Sequence, residues 1–353
     1  MIEEYSDKAD ILSMSKDKLS KFFAEMSEKP FRAKQVFKWL HENRVDDFES
    51  MTNLSKDLRN KLNACAYINK INAIDTLTSK EDGTQKYLFK LMDGNVIESV
   101  LMKYHHGNSV CISTQVGCAM GCKFCASTLD GLTRNLSSSE MLSQIYEIDR
   151  NSGERVSNIV LMGCGEPLNN YDNVVNFIRL ITDEEGYNLS GRNITLSTCG
   201  IVPNIYRLAD EKLAITLAIS LHSTTDERRK KLMPIANKYS ISEILEATDY
   251  FFDKTGRRVS FEYCLVSGEN DTMDDAKRLV DLLKNKNSHV NLIPVNPIKE
   301  RDFKSTNAEF VQRFKNVLEK NGINVTIRRE MGRDINGACG QLRKSYIESK
   351  GGK

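Results

Sequence analysis

Eight residues constrain this chain more than any other stretch: Cys118-Ala119-Met120-Gly121-Cys122-Lys123-Phe124-Cys125. Three thiols at a Cys-x3-Cys-x2-Cys spacing, in a short loop that holds a glycine, can all turn inward onto one metal centre. A cubane of four irons normally takes four protein thiolates. Three leave one iron open to a substrate. The competing arrangement is a zinc knuckle, which needs a fourth ligand, here His105 or His106.

The 353 residues can hold one large α/β domain and a small one. Hydrophobic residues make up 40% and charged residues 28%, a balance that fills a core. No apolar run approaches the length of a bilayer crossing, so no membrane partner is expected. The start, Met1-Ile2-Glu3-Glu4-Tyr5, has no basic segment followed by an apolar one, so export is not expected. The nine cysteines are then read as cytoplasmic thiols for ligation or redox work. A net charge of +2 neither argues for nor excludes nucleic acid.

Residues 1–70 read as a helical accessory domain. Apolar residues fall at helical spacing in Ser15–Phe23, in Phe31–Leu40 (Phe31, Val36, Phe37, Trp39, Leu40) and in Leu54–Leu62, with Arg32, Lys34 and Lys38 outside. Such a basic domain can grip RNA backbone, or can simply pack with its lysines solvated. Over 71–106 the period shifts to two. Gln85–Leu91 and Val96–Met102 read as a hairpin turned at Asp93-Gly94 and linking the helices to the core. From 107 to 346 short apolar strands alternate with helices, which implies a parallel sheet with right-handed crossovers. About six βα units are too few for a closed eight-fold barrel. The expected fold is an α/β partial (β/α)6 barrel with its site at the C-terminal strand ends, followed by a disordered tail over 347–353.

Several chemistry-bearing residues fall at those ends. Gly163-Cys164-Gly165-Glu166-Pro167 follows the second strand, Ser197 ends the third, Ser220-Leu221-His222 ends the fourth, and Asn296 follows the sixth. Hydroxyls, an imidazole and an amide on one rim suit ribose hydroxyls and a carboxylate. Cys111 lies on the first strand, and Cys339 stands between glycines in what reads as a mobile loop. Cys65, Cys164, Cys199 and Cys264 read as small buried hydrophobes. Arg228-Arg229-Lys230-Lys231, Arg257-Arg258 and Arg328-Arg329 are candidate phosphate contacts.

The three-cysteine loop resembles the cluster loop of the radical S-adenosylmethionine (SAM) enzymes. Further motifs sharpen the resemblance: Ser113-Thr114-Gln115-Val116-Gly117-Cys118, Gly165-Glu166-Pro167-Leu168-Asn169, Ser220-Leu221-His222, Leu232-Met233-Pro234-Ile235 and Ala338-Cys339-Gly340-Gln341-Leu342. Together they resemble the dual-specificity adenine-C2 methyltransferases of 23S rRNA and tRNA, the RlmN type. The related Cfr type, which methylates adenine C8, tends to have Ala in place of Pro167 and Cys in place of Val116.

The resemblance implies one [4Fe-4S] cluster on Cys118, Cys122 and Cys125, with SAM on the open iron. It implies SAM contacts from Gly165, Glu166, Ser197, Ser220, Leu221, His222 and Asn296. Two SAM are used per turnover: one methylates Cys339, and the other yields a radical that activates this methyl group for addition to C2. Cys111 resolves the enzyme–RNA adduct through a transient disulfide with Cys339, and Glu98 is a proton acceptor. The implied targets are adenosine 2503 in the peptidyl-transferase region of 23S rRNA and adenosine 37 of tRNA. The implied partners are an electron donor such as flavodoxin or ferredoxin and a thiol reductant. A monomer is expected.

Overall fold

The computed structural model describes residues 7–105 and 107–342. His106 and the tail from 347 lie outside the described residues.

The first layer is helical. Two short strands, β1 (Ala9–Asp10) and β2 (Ala66–Tyr67), pair in parallel and tie its two ends together. Between them run α1 (Lys16–Glu25), α2 (Phe31–His41) and α3 (Lys56–Cys65). Ser15 and Ser55 cap α1 and α3 by accepting from the N–H of Lys18 and Leu58. Leu19, Phe23, Val36, Phe37, Leu40, Leu58 and Leu62 are buried. Phe31 departs from the expected apolar face: it is half exposed, with the Arg32 guanidinium 4.8 Å from its ring.

Next come β3 (Asn72–Thr78), β4 (Gln85–Lys90) and β5 (Val96–Tyr104), all antiparallel. The β4–β5 turn falls where Asp93-Gly94 placed it, with Gly94 at φ +86° and Asp93 accepting from the Asn95 N–H. This region is more than a linker. β5 pairs with β6 (Gly107–Cys111), so the three strands extend the main sheet on one side.

After β6, the small pair β7 (Gln115–Gly117) and β8 (Leu132–Asn135) brackets the cysteine loop. Then follow α4 (Ser138–Ser152), β9 (Val156–Leu161), α5 (Tyr171–Ile181), β10 (Ile194–Thr198), α6 (Val202–Asp210), β11 (Thr216–Ser220), α7 (Asp226–Leu232), α8 (Ile241–Thr255), β12 (Val259–Leu265), α9 (Met273–Leu283), β13 (Ser288–Pro294), α10 (Ala308–Lys320) and β14 (Asn324–Ile327). The parallel strands lie in chain order, β6-β9-β10-β11-β12-β13-β14, and the sheet ends at β14 and β3. It is an open barrel whose C-terminal strand ends share one rim, as the alternation predicted.

One helix was not expected. The run Asp226-Glu227-Arg228-Arg229-Lys230-Lys231-Leu232 forms α7, capped by Thr225. Arg229 turns inward, contrary to the phosphate-binding reading, while Arg228 stays partly exposed. Arg229 is fully buried and donates to the carbonyls of Cys199, Ser220 and Leu221. Arg228 pairs with buried Asp275 at 2.9 Å. Arg257 likewise ties the Ile215 carbonyl and Thr216. Lys230, Lys231, Arg258 and Arg329 remain exposed.

Candidate active site

The cysteine loop is set by its neck. Gly117 has φ +76°, and a Cβ there would lie 1.9 Å from the Gly131 carbonyl oxygen, so only glycine allows the β7–β8 crossing. The Cys118 N–H donates to that same oxygen at 3.0 Å. The Thr128 hydroxyl holds the carbonyls of Cys122 and Cys125. The thiols of Cys118, Cys122 and Cys125 then line one cavity at the rim. Burial pushes all three thiols up; repulsion from Cys125 adds to it at Cys118 and Cys122, and repulsion from Cys339 adds to it at Cys125; Cys118 reaches about 12. A strongly cationic group held among them would ionise them. Among the described residues, no three of His, Cys, Asp and Glu converge on a single-ion site. His105 follows β5 and precedes β6, at the end of the sheet away from the loop, so it cannot complete a zinc knuckle. Three thiols spread around a cavity fit a multi-atom cluster better than one ion.

The rest of the wall comes from successive strand ends. Gly163, Gly165 and Glu166 follow β9, Ser197 lies on β10, Ser220 and His222 end β11, and Asn296 follows β13. Gly165 takes φ +112°, and a Cβ would meet the Gln115 side chain at 2.6 Å. The Glu166 carboxylate is buried and accepts from the N–H groups of Leu168 (2.9 Å) and Cys199 (2.7 Å), which joins the β9 and β10 ends. His222 Nδ1 accepts from the Cys264 N–H at 2.8 Å, so its proton sits on Nε2. Burial, reinforced by Arg229, lowers its pKa to about 3, and the ring is a neutral donor. Leu221 does not join this set. Its side chain lies in the core, its N–H donates to the Glu262 carbonyl and its own carbonyl accepts from Arg229.

Cys339 is exposed and borders both this cavity and a second one, which Cys111, Val100, Met102 and Arg328 also line. Its loop is tethered where mobility was expected. Ala126 donates to the Gly340 carbonyl, Ser127 to Leu342, Asn296 to the Cys339 carbonyl and Lys86 to Asn336. The cluster loop and the Cys339 loop are therefore stitched together. Cys111 and Cys339 are both free thiols. Burial, then the neighbouring Cys339, pushes Cys111 up to about 12, and Arg328 opposes this. Glu98 is buried, with one oxygen 3.5 Å from Lys86 Nζ, and lines neither cavity.

Several lining residues of the first cavity escaped the sequence reading, among them Ser127, Thr128, Ile293 and Val295 as well as Glu262 on β12 and Met162 after β9. Glu262 carried the same signal as Glu98, a charge inside an apolar strand. Met162 has no polar or spacing signal.

An open parallel barrel with a three-thiol loop after its first strand defines a radical SAM protein. The Radical SAM superfamily model matches residues 112–283, and the model of the ribosomal RNA large subunit methyltransferase N-terminal domain matches residues 9–68. A crystal structure of a radical SAM methyltransferase from Sphaerobacter thermophilus aligns with TM-score 0.90 and 40% identity, over 95% of this chain and 99% of that one. A probable dual-specificity RNA methyltransferase RlmN from Lachnoclostridium phytofermentans is 61% identical over 98% of each chain. The one from Lachnospira eligens is 61% identical over 96% of this chain and 97% of its own. The chain belongs to the RlmN family of radical SAM RNA methyltransferases.

Proposed function

We propose that this chain methylates C2 of adenosine in RNA, at adenosine 2503 of 23S rRNA and adenosine 37 of tRNA. The observation that carries the reading is the position of Cys339, on the border between the cavity of the three-thiol loop and the cavity of Cys111. A cluster with SAM bound supplies one-electron chemistry, which amino-acid side chains lack and which an electron-poor ring carbon requires. Cys118, Cys122 and Cys125 hold the cluster. Gly165, Glu166, Ser197, Ser220, His222 and Asn296 hold SAM.

Cys339 carries the methyl group, since its exposure leaves it reachable from both sides. The second cavity is the larger, about 360 Å³ against about 140 Å³, and suits an unstacked adenine. Cys111 lies in that cavity and frees the product by forming a disulfide with Cys339, which a thiol reductant reopens. Cys111 lines this cavity and Glu98, the expected proton acceptor, does not, which supports Cys111 as the group that meets the adduct. Exposed Arg329 and Arg333 at its rim suit RNA phosphates. Val116 and Pro167 are the residues of the C2 type. No helix of the described residues is long and apolar enough to cross a membrane, which accords with work on RNA in the cytoplasm.

The test is anaerobic reconstitution with iron, sulfide and an electron donor such as flavodoxin, followed by nucleoside analysis of treated rRNA and tRNA. The expected product is 2-methyladenosine. Finding 8-methyladenosine instead would overturn the assigned position, and a Cys339→Ala variant that still methylates would overturn the thiol route.

A further inference from the structure

Glu262 is an unusual member of the cluster cavity. It sits in the middle of β12, is 3% exposed and belongs to the lining. One carboxylate oxygen accepts from Asn291 Nδ2 at 2.8 Å. The other has no hydrogen-bond partner among the described residues. Arg328 Nη1 stands 3.8 Å from it, beyond hydrogen-bond reach but close enough to balance its charge. A buried acceptor left without a donor is costly, and of the buried unpartnered side-chain atoms among the described residues only this one belongs to a residue that lines the cluster cavity, where a ligand can supply the donor.

Its neighbours narrow the ligand. The register of the parallel β11–β12 pair sets Ser220 directly opposite Glu262, and both face the cavity. Adjacent strands lie about 4.8 Å apart. A hydroxyl and a carboxylate side by side match a vicinal diol, whose two oxygens are about one hydrogen bond apart. Carboxylates on strand ends hold ribose hydroxyls in dinucleotide sites for the same reason. Polar lining groups run in order around the rim: the glycine segment after β9, Ser197 on β10, Ser220 on β11, Glu262 on β12. A nucleoside with an amino-acid tail laid along this rim, tail toward the thiols, brings its sugar to Ser220 and Glu262. Glu262 does not line the second cavity, so it faces the cofactor side and not the RNA base. Because Arg328 already offsets its charge, the missing partner is a neutral donor.

We infer that Glu262 is the ribose-binding carboxylate of this site, accepting hydrogen bonds from the 2′- and 3′-hydroxyls of SAM with Ser220 beside it. The inference rests on reading the cavity as a SAM site. Burial raises the Glu262 pKa, and Arg328 and then the Asn291 amide oppose the shift without cancelling it.

The experiment is equilibrium binding to the anaerobically reconstituted holoenzyme, with SAM and its 2′-deoxy and 3′-deoxy analogues as probes. Wild type is expected to bind at least one deoxy analogue about ten- to a hundredfold more weakly than SAM, the range of a hydrogen bond to a charged group. Glu262→Gln is expected to weaken SAM by about tenfold and to bring SAM and the analogue within about twofold of each other. Glu262→Asp should restore part of the preference. Iron content and far-UV circular dichroism check that each variant is loaded and folded, and the wild-type comparison needs no variant at all. SAM binding that ignores both hydroxyls, or a Glu262→Gln variant that weakens SAM and analogues equally, overturns the inference alone. A wild-type holoenzyme that binds no SAM overturns the cavity reading and the inference with it.

Discussion

The barrel rim and the surface where the N-terminal helices meet α4 and α5 both bury polar groups, yet they treat them oppositely. At the helical contact most polar atoms close on one another, and among the described residues the two left over on Asp10 and His41 belong to groups that line neither cavity. Lys16 reaches Asp183 at 2.9 Å and Glu185 at 3.1 Å, Arg44 pairs with Asp149, Ser13 and Ser139 bind Asp10, and His41 meets the Tyr146 hydroxyl at 3.0 Å. At the rim, three thiols, the His222 Nε2–H side and one oxygen of Glu262 belong to groups that line a cavity. Polarity closed on itself builds a scaffold, whereas polarity left open toward a cavity awaits a ligand.

The largest effect should come from the open side. Cys122→Ala should abolish cluster assembly and 5′-deoxyadenosine release, read by iron content and product analysis. The apoprotein should unfold within about 1 kcal/mol of wild type, because a buried thiol is a small loss of packing. Arg229→Met probes scaffold hidden under the rim. Stranding the carbonyls of Cys199, Ser220 and Leu221 should cost about 3 kcal/mol in urea unfolding, whereas Lys230→Ala should change stability by less than about 0.5 kcal/mol.

His41 tests the closed side through pH. Burial, opposed by Asp183, lowers its pKa from 6.5 to about 3. The unfolded chain takes up this proton below about pH 6.5 while the folded chain refuses it. The stability His41 contributes is therefore full above pH 6.5 and lost as pH falls toward 3, at about 1.4 kcal/mol per unit. Between pH 7 and pH 5, wild type should lose about 2 kcal/mol more than His41→Phe. The smallest effect is expected at the surface. Lys34 pairs with Glu185 in solvent, so Lys34→Ala should cost less than about 1 kcal/mol and fade in salt.

Much of the fold could be read from the residues because it is written in local periodicity. Strands and helices alternate from β9 to β14 as the period required, and the hairpin turn lies at Gly94 as its Asp-Gly pair required. Charge patterns misled where burial decides. Arg228-Arg229-Lys230-Lys231 looks solvated in one dimension, but one helical turn sends Arg229 into the core and leaves Lys230 outside. Ser220-Leu221-His222 reads as one binding stretch, but past the end of β11 the Leu221 side chain enters the core while Ser220 and His222 line the cavity. The hairpin region reads as a linker because pairing of β5 with β6 depends on contacts that periodicity does not report.

The residues alone determined that three sulfurs share a loop and that strands and helices alternate around it, because spacing and period act over a few neighbouring positions. Tertiary structure decided the rest. It set Cys339, 214 positions beyond Cys125, across the cavity border from Cys111, and it laid Glu262 beside Ser220. These meetings depend on register and on hydrogen bonds between distant loops, such as Ala126 to Gly340, that form only when the strands are assembled into one sheet.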